Sequence, residues 1–419
     1  MITTSRPLNA SGLVGRLSRR RFMWQFPRMA FGALSPAWLH ATPGTGALAT
    51  MNVASAVGGV PPLELQTLPD PVWAERIRGS QRLSFDLGIR NYSSSEWELS
   101  FIGLRVSSGG KTIYLNHLDL GGGTVGSIQT LGETRVAPDG YLYLFNPFPA
   151  LDSQITLEHV RCSLFFTVGS QRIILATDIY PRVYQQRNRF RVPLKGRLFL
   201  MNGHDYYSSH RRHDLYTPIL RQLGFPMTNA NRYALDFIVV DETGATYRGG
   251  NPTSQDYFGF GRLPFPVPAR NEDYIGFGAP ILAPAAGRVI ASRGDLSDNL
   301  PLQFAGFPLD VEKADRMISW GNHIIIDHGN GEYFVLAHCQ RGSTTVRPGD
   351  AVKPGQVVAK VGSSGAAAFP HLHCQLIERP EPVRAQGLPV TFSDFDLVFG
   401  SKTVHILNDC PDTGDFLIA

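Results

Sequence analysis

The chain has 419 residues, of which 43% are hydrophobic and 18% charged, a balance typical of a globular protein rather than a disordered one. Its formal charge of +4 is misleading, because residues 1–49 contain six arginines and no acidic residue. Removing these six from the 39 basic residues leaves 33 against 35 acidic ones, which argues against a nucleic-acid-binding protein.

The first segment, residues 1–49, has the pattern of an export signal. Ser18–Met23 resembles the twin-arginine signal, a modestly apolar stretch follows around Met29–Leu39, and Ala47-Leu48-Ala49 offers a small-residue cleavage site. Residues 50–70, with paired glycines and paired prolines, are interpreted as a linker. No other segment approaches the ~20 apolar residues that a membrane span needs. We therefore expect a periplasmic or extracellular protein without a membrane span.

Residues 71–190 contain short runs in which apolar and polar residues alternate, as in Trp97–Phe101 and Cys162–Val168. Clusters of glycine and serine separate these runs. Short strands at this spacing predict an antiparallel β-sandwich of the immunoglobulin-like kind. His117 and His159 are not part of a recognisable set of metal ligands, so we assign no chemistry to this region.

Histidines concentrate in the second half of the chain, where nine of the twelve lie from His204 onward. The strand candidates here are Tyr233–Val240, Gly287–Ser292, His323–Asp327, Tyr333–His338, Gln356–Val361 and His371–Ile377. A helix is expected only near Leu215–Leu223. The pattern predicts one β-rich domain over residues 195–400, followed by a C-terminal tail at 401–419.

The most informative pattern is His371-Leu372-His373, two histidines separated by one residue on a predicted strand. Alternate residues of a strand point to one face, so the two imidazoles lie about 7 Å apart. A catalytic zinc needs about three nitrogen or oxygen ligands and an open position for water. One histidine of this pair, an aspartate on a strand and an upstream histidine meet that demand, while another histidine transfers the proton.

Several motifs resemble, in the same order, those of the LytM-type M23 zinc metallopeptidases. They are Gly278–Val289, Gly321–Gly329, Tyr333–His338, Val346–Gln356, Gly362–Gly365 and His371–His373. The resemblance covers roughly residues 200–380 and implies a LytM-like antiparallel β-sheet peptidase domain. It also implies a Zn2+ cofactor and peptidoglycan peptides as the substrate.

The same resemblance implies roles for individual residues. His373 corresponds to a zinc ligand of the family, and Asp236 corresponds to its aspartate ligand. His371 and His338 correspond to the catalytic residues that assist the water and the transition state. A carboxylate on a strand as apolar as that of Asp236 is costly to bury unless a metal or hydrogen bonds compensate it.

The first zinc ligand departs from the usual His-x-x-x-Asp pattern, because Arg232 stands four residues before Asp236. A subgroup of the family carries a His-Arg-Arg element well upstream instead, and His210-Arg211-Arg212 is similar to it. We therefore assign His210 as the first metal ligand, with His213 and His204 as competitors.

An arginine pair and two long segments each allow two interpretations. Arg211 and Arg212 either bind substrate carboxylates or pair with Asp214. The segments Asn251–Asp273 and Arg293–Trp320, long and rich in glycine, proline or aromatic residues, form either walls of a groove or solvated insertions.

The four cysteines permit up to two disulfides, whose pairing the sequence does not settle. Cys339 and Cys374 each follow a predicted site histidine, so their side chains point to the opposite face of the sheet. We interpret them as buried apolar residues or a cross-strand pair rather than as zinc ligands.

Two functions are compatible with these patterns. The leading one is an exported zinc-dependent endopeptidase that hydrolyses amide bonds in peptidoglycan peptides with zinc-activated water. The alternative is a non-catalytic cell-wall binding or amidase-activating module on the same fold. Retention of Asp236, His338, His371 and His373 favours the enzyme, and bound zinc together with peptide release from cell wall would separate the two.

Overall fold

The computed structural model describes residues 61–121, 126–148, 150–203, 205–206, 208–212, 228–248, 270–301, 319–381 and 384–419. The predicted export signal of residues 1–49, the predicted helix near Leu215–Leu223 and most of the two candidate groove segments lie outside these ranges. Within them the regular structure is β-strand, with single turns of 3-10 helix at Ser127–Thr130, His210–Arg212 and Asn271–Asp273. The predicted all-β fold class is confirmed.

The N-terminal region, residues 63–183, forms three sheets in its described part. Its strands are β1 (Leu63–Leu68), β2 (Trp73–Ile77), β3 (Ser80–Leu83), β4 (Asp86–Asn91), β5 (Trp97–Ser108), β6 (Lys111–Asp119), β7 (Arg135–Val136), β8 (Tyr141–Phe145), β9 (Ala150–Asp152), β10 (His159–Val168), β11 (Gln171–Ile179) and β12 (Arg182–Val183). The sheet orders are β1-β4-β8, β11-β10-β5-β6 with β7 beside β5, and β12-β2-β3-β9.

These three sheets share one apolar core, because alternate residues of their strands point inward. Leu87 on β4, Leu104 on β5, Leu151 on β9 and Leu164 on β10 are buried in the same cluster. The alternation on which the strands were predicted is thus the alternation of burial. The immunoglobulin-like arrangement of this region stays a prediction.

The connection from the N-terminal region into the C-terminal one is fixed by a buried carboxylate. Glu332, which is fully buried, accepts hydrogen bonds from the Tyr184 hydroxyl at 2.8 Å and from the backbone amides of Arg187 and Asn188 at 2.6 and 2.9 Å. A buried carboxylate with this many donors is satisfied, so the connection is held firmly against the C-terminal sheet.

The C-terminal region consists of one large sheet and two separate strand pairs. Its strands are β13 (Phe190–Arg191), β14 (Arg197–Asn202), β15 (Leu235–Val239), β16 (Pro280–Leu282), β17 (Gly287–Ser292), β18 (Ile324–Asp327), β19 (Tyr333–Ala337), β20 (Ala351–Val352), β21 (Val357–Lys360), β22 (Leu372–Ile377), β23 (Gly387–Leu388), β24 (Phe392–Ser393), β25 (Phe395–Phe399), β26 (Lys402–Ile406) and β27 (Phe416–Ile418). The sheet order is β20-β17-β18-β19-β22-β15-β14-β27-β25-β26, with β23 beside β22. Its ladders are antiparallel, and β16 pairs with β21 and β13 with β24 separately.

One face of this sheet packs on the main core of the region. Leu235 and Phe237 on β15, Leu372 on β22 and Leu336 on β19 belong to one buried cluster, which also contains Val358 of the β16–β21 pair. Because side chains alternate along each strand, the residues between these leucines and phenylalanines face the other side. That opposite face is where polar side chains can lie without disturbing the core.

Parts of the predicted linker and of the predicted tail form strands. The linker of residues 50–70 is overlapped by β1 (Leu63–Leu68), which pairs with β4 along its whole length and buries Leu63 completely. The tail of residues 401–419 contains β26 and β27, and β27 lies inside the large sheet between β14 and β25 with Leu417 buried. These strands belong to the sheets because apolar residues such as Leu63 and Leu417 complete the cores.

All four cysteines are described and buried, and none of them forms a disulfide. Neither a disulfide nor the cross-strand pair considered for Cys339 and Cys374 is present. Burial raises the pKa of the Cys374 thiol well above its usual value, which suits an apolar core residue. Within the described ranges, the structure contains no helix with the length and apolar composition that a membrane span requires.

Candidate metal centre

A row of residues crosses the centre of the large sheet on the face opposite the core. Backbone pairing places Asn202 on β14 opposite Asp236 on β15, and Asp236 opposite His373 on β22. His373 in turn lies opposite Ala337, the last residue of β19. The register therefore brings together an aspartate and a histidine that are 137 residues apart in the chain.

Three of the predicted residues form a cluster with the dimensions of a metal site. His210 Nε2 lies 3.2 Å from Asp236 Oδ2, and His373 Nδ1 lies 3.0 Å from Asp236 Oδ1. One candidate ligand atom from each residue lies within 4.8 Å of the others, and all three side chains are buried. The competing candidates His204 and His213 lie outside the described residues.

Hydrogen bonds on the far side of each ring determine which nitrogen of the two histidines is free. His210 Nδ1 lies 3.0 Å from the Ala234 carbonyl, which can only accept, so Nδ1 carries the proton and Nε2 keeps its lone pair. His373 Nε2 lies 2.6 Å from Gln375 Oε1, while the amide nitrogen of Gln375 donates to the Ala230 carbonyl. His373 therefore donates from Nε2 and keeps its lone pair on Nδ1, in the manner of ligand histidines whose second nitrogen is held.

The chemistry of this donor set fits a divalent cation. In their neutral forms, His210 and His373 direct lone pairs at the carboxylate oxygens of Asp236, so that three acceptors converge on one point. Two imidazole nitrogens and a carboxylate oxygen are a ligand set typical of zinc. Asn202 also contacts this point, since its side-chain amide donates to Asp236 Oδ2 at 3.2 Å.

The two predicted catalytic histidines lie beside this cluster. The ring centroids of His338 and His371 are 4.7 Å apart, and those of His338 and His373 are 5.5 Å apart. His371 Nδ1 lies 2.9 Å from the Phe369 carbonyl, and His338 Nδ1 lies 2.8 Å from the Ser364 carbonyl. Both rings therefore donate from Nδ1 and offer Nε2 as a proton acceptor.

His338 reaches this position through an unusual backbone conformation. It directly follows β19, and strict alternation after Ala337 would turn its side chain toward the core. Its φ of 59° places it in the left-handed region, which ends the strand and breaks the alternation. Strained backbone of this kind concentrates at functional sites.

A close approach of two glycines supports the His338 ring. Gly321 and Gly365 both have positive φ, and a Cβ on Gly365 would lie only 2.4 Å from the Gly321 nitrogen. Only glycine allows the two chain segments to come this close. The adjacent Ser364 is thereby held so that its carbonyl accepts the hydrogen bond from His338.

Burial and mutual electrostatics shift the titration of the cluster. Burial alone would raise the pKa of Asp236, but the neighbouring rings, chiefly His210 and His371 and then the contacts with His210 and His373, outweigh it and hold that pKa well below its usual range. Burial is the main cause that lowers the pKa of His338, His371 and His373. These shifts favour an ionised Asp236 and neutral rings for His338, His371 and His373.

The five predicted residues line a single cavity of about 420 Å³. Its apolar side is formed by Met201, Trp320, Ala366, Ala368 and Phe369. A concave site with convergent polar groups at one end and an apolar wall is the usual form of a substrate-binding pocket.

Two contributing residues were missed by the sequence patterns. Gln375 continues the alternation of His371 and His373 along the same strand face, so the period of two could have identified it. Asn202 carries no such signal, because only the pairing of β14 with β15 brings it to Asp236.

Other polar residues singled out in the sequence lie away from the cavity. His117 forms an ion pair with Asp119 and His405 is hydrogen-bonded to Asp396, in line with surface roles. Arg211 is buried against Asp86, a partner that neither of its two interpretations included. The side chain of Arg212 and the whole of Asp214 lie outside the described residues.

Comparison with known proteins identifies one family in this chain. Residues 273–385 match the model of peptidase family M23, which confirms the resemblance predicted from the motifs. The matched residues include His338, His371 and His373, whereas His210 and Asp236 precede them. It is the fold that brings these two residues to the other three.

Two curated proteins of Vibrio cholerae serotype O1 are similar to short parts of the chain. Peptidoglycan DD-endopeptidase ShyA is 35% identical over 65 residues, which cover 16% of this chain and 15% of the relative. Peptidoglycan DD-endopeptidase ShyC is 32% identical over 99 residues, which cover 23% of this chain and 22% of the relative. The chain thus matches less than a quarter of the length of either relative.

Similar solved structures include the catalytic domain of the prophage-encoded M23 protein EnpA from Enterococcus faecalis. It is 24% identical, covers 28% of this chain and 71% of its own, and has a TM-score of 0.20. The catalytic domain of lysostaphin from Staphylococcus simulans is 23% identical, covers 30% of this chain and 82% of its own, and has a TM-score of 0.19. Similarity at such TM-scores says nothing about the function of this chain.

Proposed function

Because residues 273–385 carry a peptidase family M23 domain, we propose that this chain is a zinc-dependent endopeptidase that hydrolyses amide bonds in peptidoglycan peptides. We further propose that residues 1–49 export it to the periplasm or the cell exterior as a twin-arginine-type signal. Both relatives with curated names are peptidoglycan DD-endopeptidases, which supports this class of substrate.

The observation that carries the proposal is the convergence of His210 Nε2, Asp236 and His373 Nδ1 within 4.8 Å at one end of a cavity. We assign these three residues as the metal ligands. A zinc ion held there would lower the pKa of a coordinated water and polarise the carbonyl of the bond to be cleaved. Three protein ligands leave the further position that such chemistry requires.

His338 and His371 are assigned to proton transfer. Each keeps Nε2 free as an acceptor because its Nδ1 donates to a backbone carbonyl. Burial lowers the pKa of each ring, which favours its neutral form. A neutral imidazole can take a proton from water and return it to the leaving amine, which is general acid–base catalysis.

The cavity has room for an extended peptide beside these groups. Phe369 and Trp320 line its apolar side, and a short peptide lying against them would present its amide to the polar end. Binding along an apolar wall fixes the orientation of the amide, which is the usual role of non-reacting contacts.

The test uses the purified chain with its metal content measured by mass spectrometry and its activity measured as new amino groups released from purified cell wall. We expect about one zinc per chain, loss of release after chelation and recovery on adding Zn2+. A chain that binds cell wall but contains no zinc and releases no peptide would be the non-catalytic module instead.

A further inference from the structure

A second buried polar cluster lies next to the candidate metal centre. It consists of Asp86 at the start of β4 together with Arg211 and Arg232, whose side chains are at most 1% exposed. Arg232 Nη2 lies 2.7 Å from Asp86 Oδ2, and Arg211 Nη2 lies 3.6 Å from Asp86 Oδ1. The two guanidinium groups also donate to the carbonyls of Phe85 and Ser84, each at 3.2 Å. Two arginines of the C-terminal region are therefore held by one short segment of the N-terminal region.

Both arginines lie close in sequence to proposed metal ligands. Arg211 directly follows His210, and Arg232 lies in the turn that leads into β15 and Asp236. Asn229 joins the two segments, because its side-chain amide donates to the carbonyls of His210 and Arg211 at 3.1 Å each. The carboxylate of Asp86 thus anchors both chain segments that carry the ligands outside the family match.

His210 needs such an anchor more than the other ligands do. Asp236 and His373 lie on paired strands of the large sheet, where ladder hydrogen bonds fix their backbone. His210 lies in a single turn of 3-10 helix, His210–Arg212, outside any strand. A metal site tolerates displacements of only about 0.5 Å in its ligands, so a turn without a ladder requires other contacts.

The geometry of the anchor suits this task. A guanidinium group is planar and donates in fixed directions, so a contact to Asp86 and to a neighbouring carbonyl restrains the orientation as well as the position of Arg211. Because the cluster is shielded from solvent, neither charge can find a substitute partner in water when the contact is broken.

We propose that Asp86, acting through Arg211 and Arg232, is a positioning residue for the metal centre. The N-terminal region is then part of the machinery that assembles the site, in addition to any role in binding a partner. This inference rests on the proposed function for the identity of the metal, but its test measures metal binding and not only hydrolysis.

The test is Arg211→Met in the full chain, with zinc affinity measured by competition against a chromophoric chelator. Asp86 stays paired with Arg232 in this variant, and methionine fills similar space beside Tyr206 and Phe145. We expect about a ten-fold loss of zinc affinity, the lower end of the effect of supporting residues around metal ligands. The absorption spectrum of the Co2+-substituted protein should change as well, because the geometry of the ligands changes.

Arg78→Met is the matched control. It removes a salt bridge to Asp415 that also joins the N-terminal region to the C-terminal one, with Nη2 at 2.6 Å from the carboxylate. This bridge is partly exposed, and neither residue lines the cavity. We expect its zinc affinity and Co2+ spectrum to match those of the unaltered chain.

A second variant, Arg232→Met, leaves Asp86 paired with Arg211 and removes the anchor on the side of Asp236. It should also lower zinc affinity about ten-fold. Wild-type zinc affinity in either variant, once circular dichroism shows it folded, would overturn the inference. So would an equal loss in Arg78→Met, since the effect would then be general loosening.

The two proposals fail in distinguishable ways. An unaltered chain that binds no zinc overturns the proposed function and, with it, any positioning of a metal. An unaltered chain that binds zinc and hydrolyses cell wall, together with folded arginine variants of unchanged affinity, overturns the positioning role alone.

Discussion

Two buried polar clusters meet at His210 and Arg211, consecutive residues that belong to different clusters. The ion cluster, Asp86 with Arg211 and Arg232, opposes a carboxylate with two guanidinium groups. The metal cluster, His210, Asp236 and His373, places one ring nitrogen of each histidine 3.0 to 3.2 Å from a carboxylate oxygen. Both are shielded from solvent, and both contain one carboxylate.

The difference lies in where the ring and guanidinium protons point. In the ion cluster Arg232 donates to the carboxylate and Arg211 lies 3.6 Å from it, so opposite charges face each other inside the protein. In the metal cluster the ring N–H groups point away, to the Ala234 carbonyl and to Gln375 Oε1, so two ring nitrogens and the carboxylate converge, and the Asn202 amide donates to one carboxylate oxygen. Buried polar groups of the first kind complete a structure, whereas those of the second kind need a ligand.

The largest effect should come from removing a ligand of the metal cluster. His373→Ala deletes one of three proposed ligands, so we expect zinc to be lost and hydrolysis of cell wall to fall by at least about a thousand-fold. His405→Ala, an exposed histidine hydrogen-bonded to Asp396, serves as the control and should keep both. Stoichiometric zinc in folded His373→Ala would remove this residue from the ligand set.

A smaller loss of turnover is expected from removing either proposed proton-transfer residue. It distinguishes proton transfer from metal binding within the same cavity. His371→Ala and His338→Ala should each lower turnover about 10²- to 10⁴-fold, because each removes a proton acceptor beside the cluster. Zinc content should stay near that of the unaltered chain, since neither residue belongs to the three proposed ligands. Full activity in His371→Ala would show that the role assigned to this residue is wrong.

Features that depend on local periodicity could be predicted from the sequence. The apolar run Tyr233–Val240 and the spacing of His371 and His373 placed Asp236 and His373 on strands, and in the structure both residues lie between core residues, on the opposite face of the sheet. His210 was reached only through resemblance to a subgroup, because nothing in its own turn distinguishes it from the neighbouring histidines. The structure brings His210 to the cluster, while its role as a ligand stays a prediction.

Features that depend on distant pairing could not be predicted. Asp86 lies 146 residues before Arg232, and no local pattern connects an aspartate of one region to an arginine of the other. The strand β27 (Phe416–Ile418) has only three residues, too few for a periodic signal, and exists because β14 and β25 lie on either side of it. The orientation of the His338 side chain could not be predicted, because strand alternation fails where the backbone becomes left-handed.

The smallest expected effect on zinc binding comes from removing the hydrogen bond that orients the ring of His373. Gln375→Leu removes the acceptor of His373 Nε2, so the ring is no longer held with Nδ1 toward Asp236, and zinc affinity should fall about 10- to 100-fold. Cys374→Ala is the matched control, because the two residues are consecutive, both are fully buried, and their side chains lie on opposite faces of β22. It should lower the free energy of unfolding by about 1 kcal/mol and leave zinc affinity unchanged.

Comparing the two variants by chelator competition and thermal unfolding separates orientation from stability. If the lone pair of His373 is directed by Gln375, zinc affinity falls only in Gln375→Leu, while both variants lose some stability. An equal loss of zinc affinity in both variants would mean that the metal cluster responds to packing of the strand in general. The metal cluster would then differ from the ion cluster in its residue types alone, and no longer in the direction of its N–H groups.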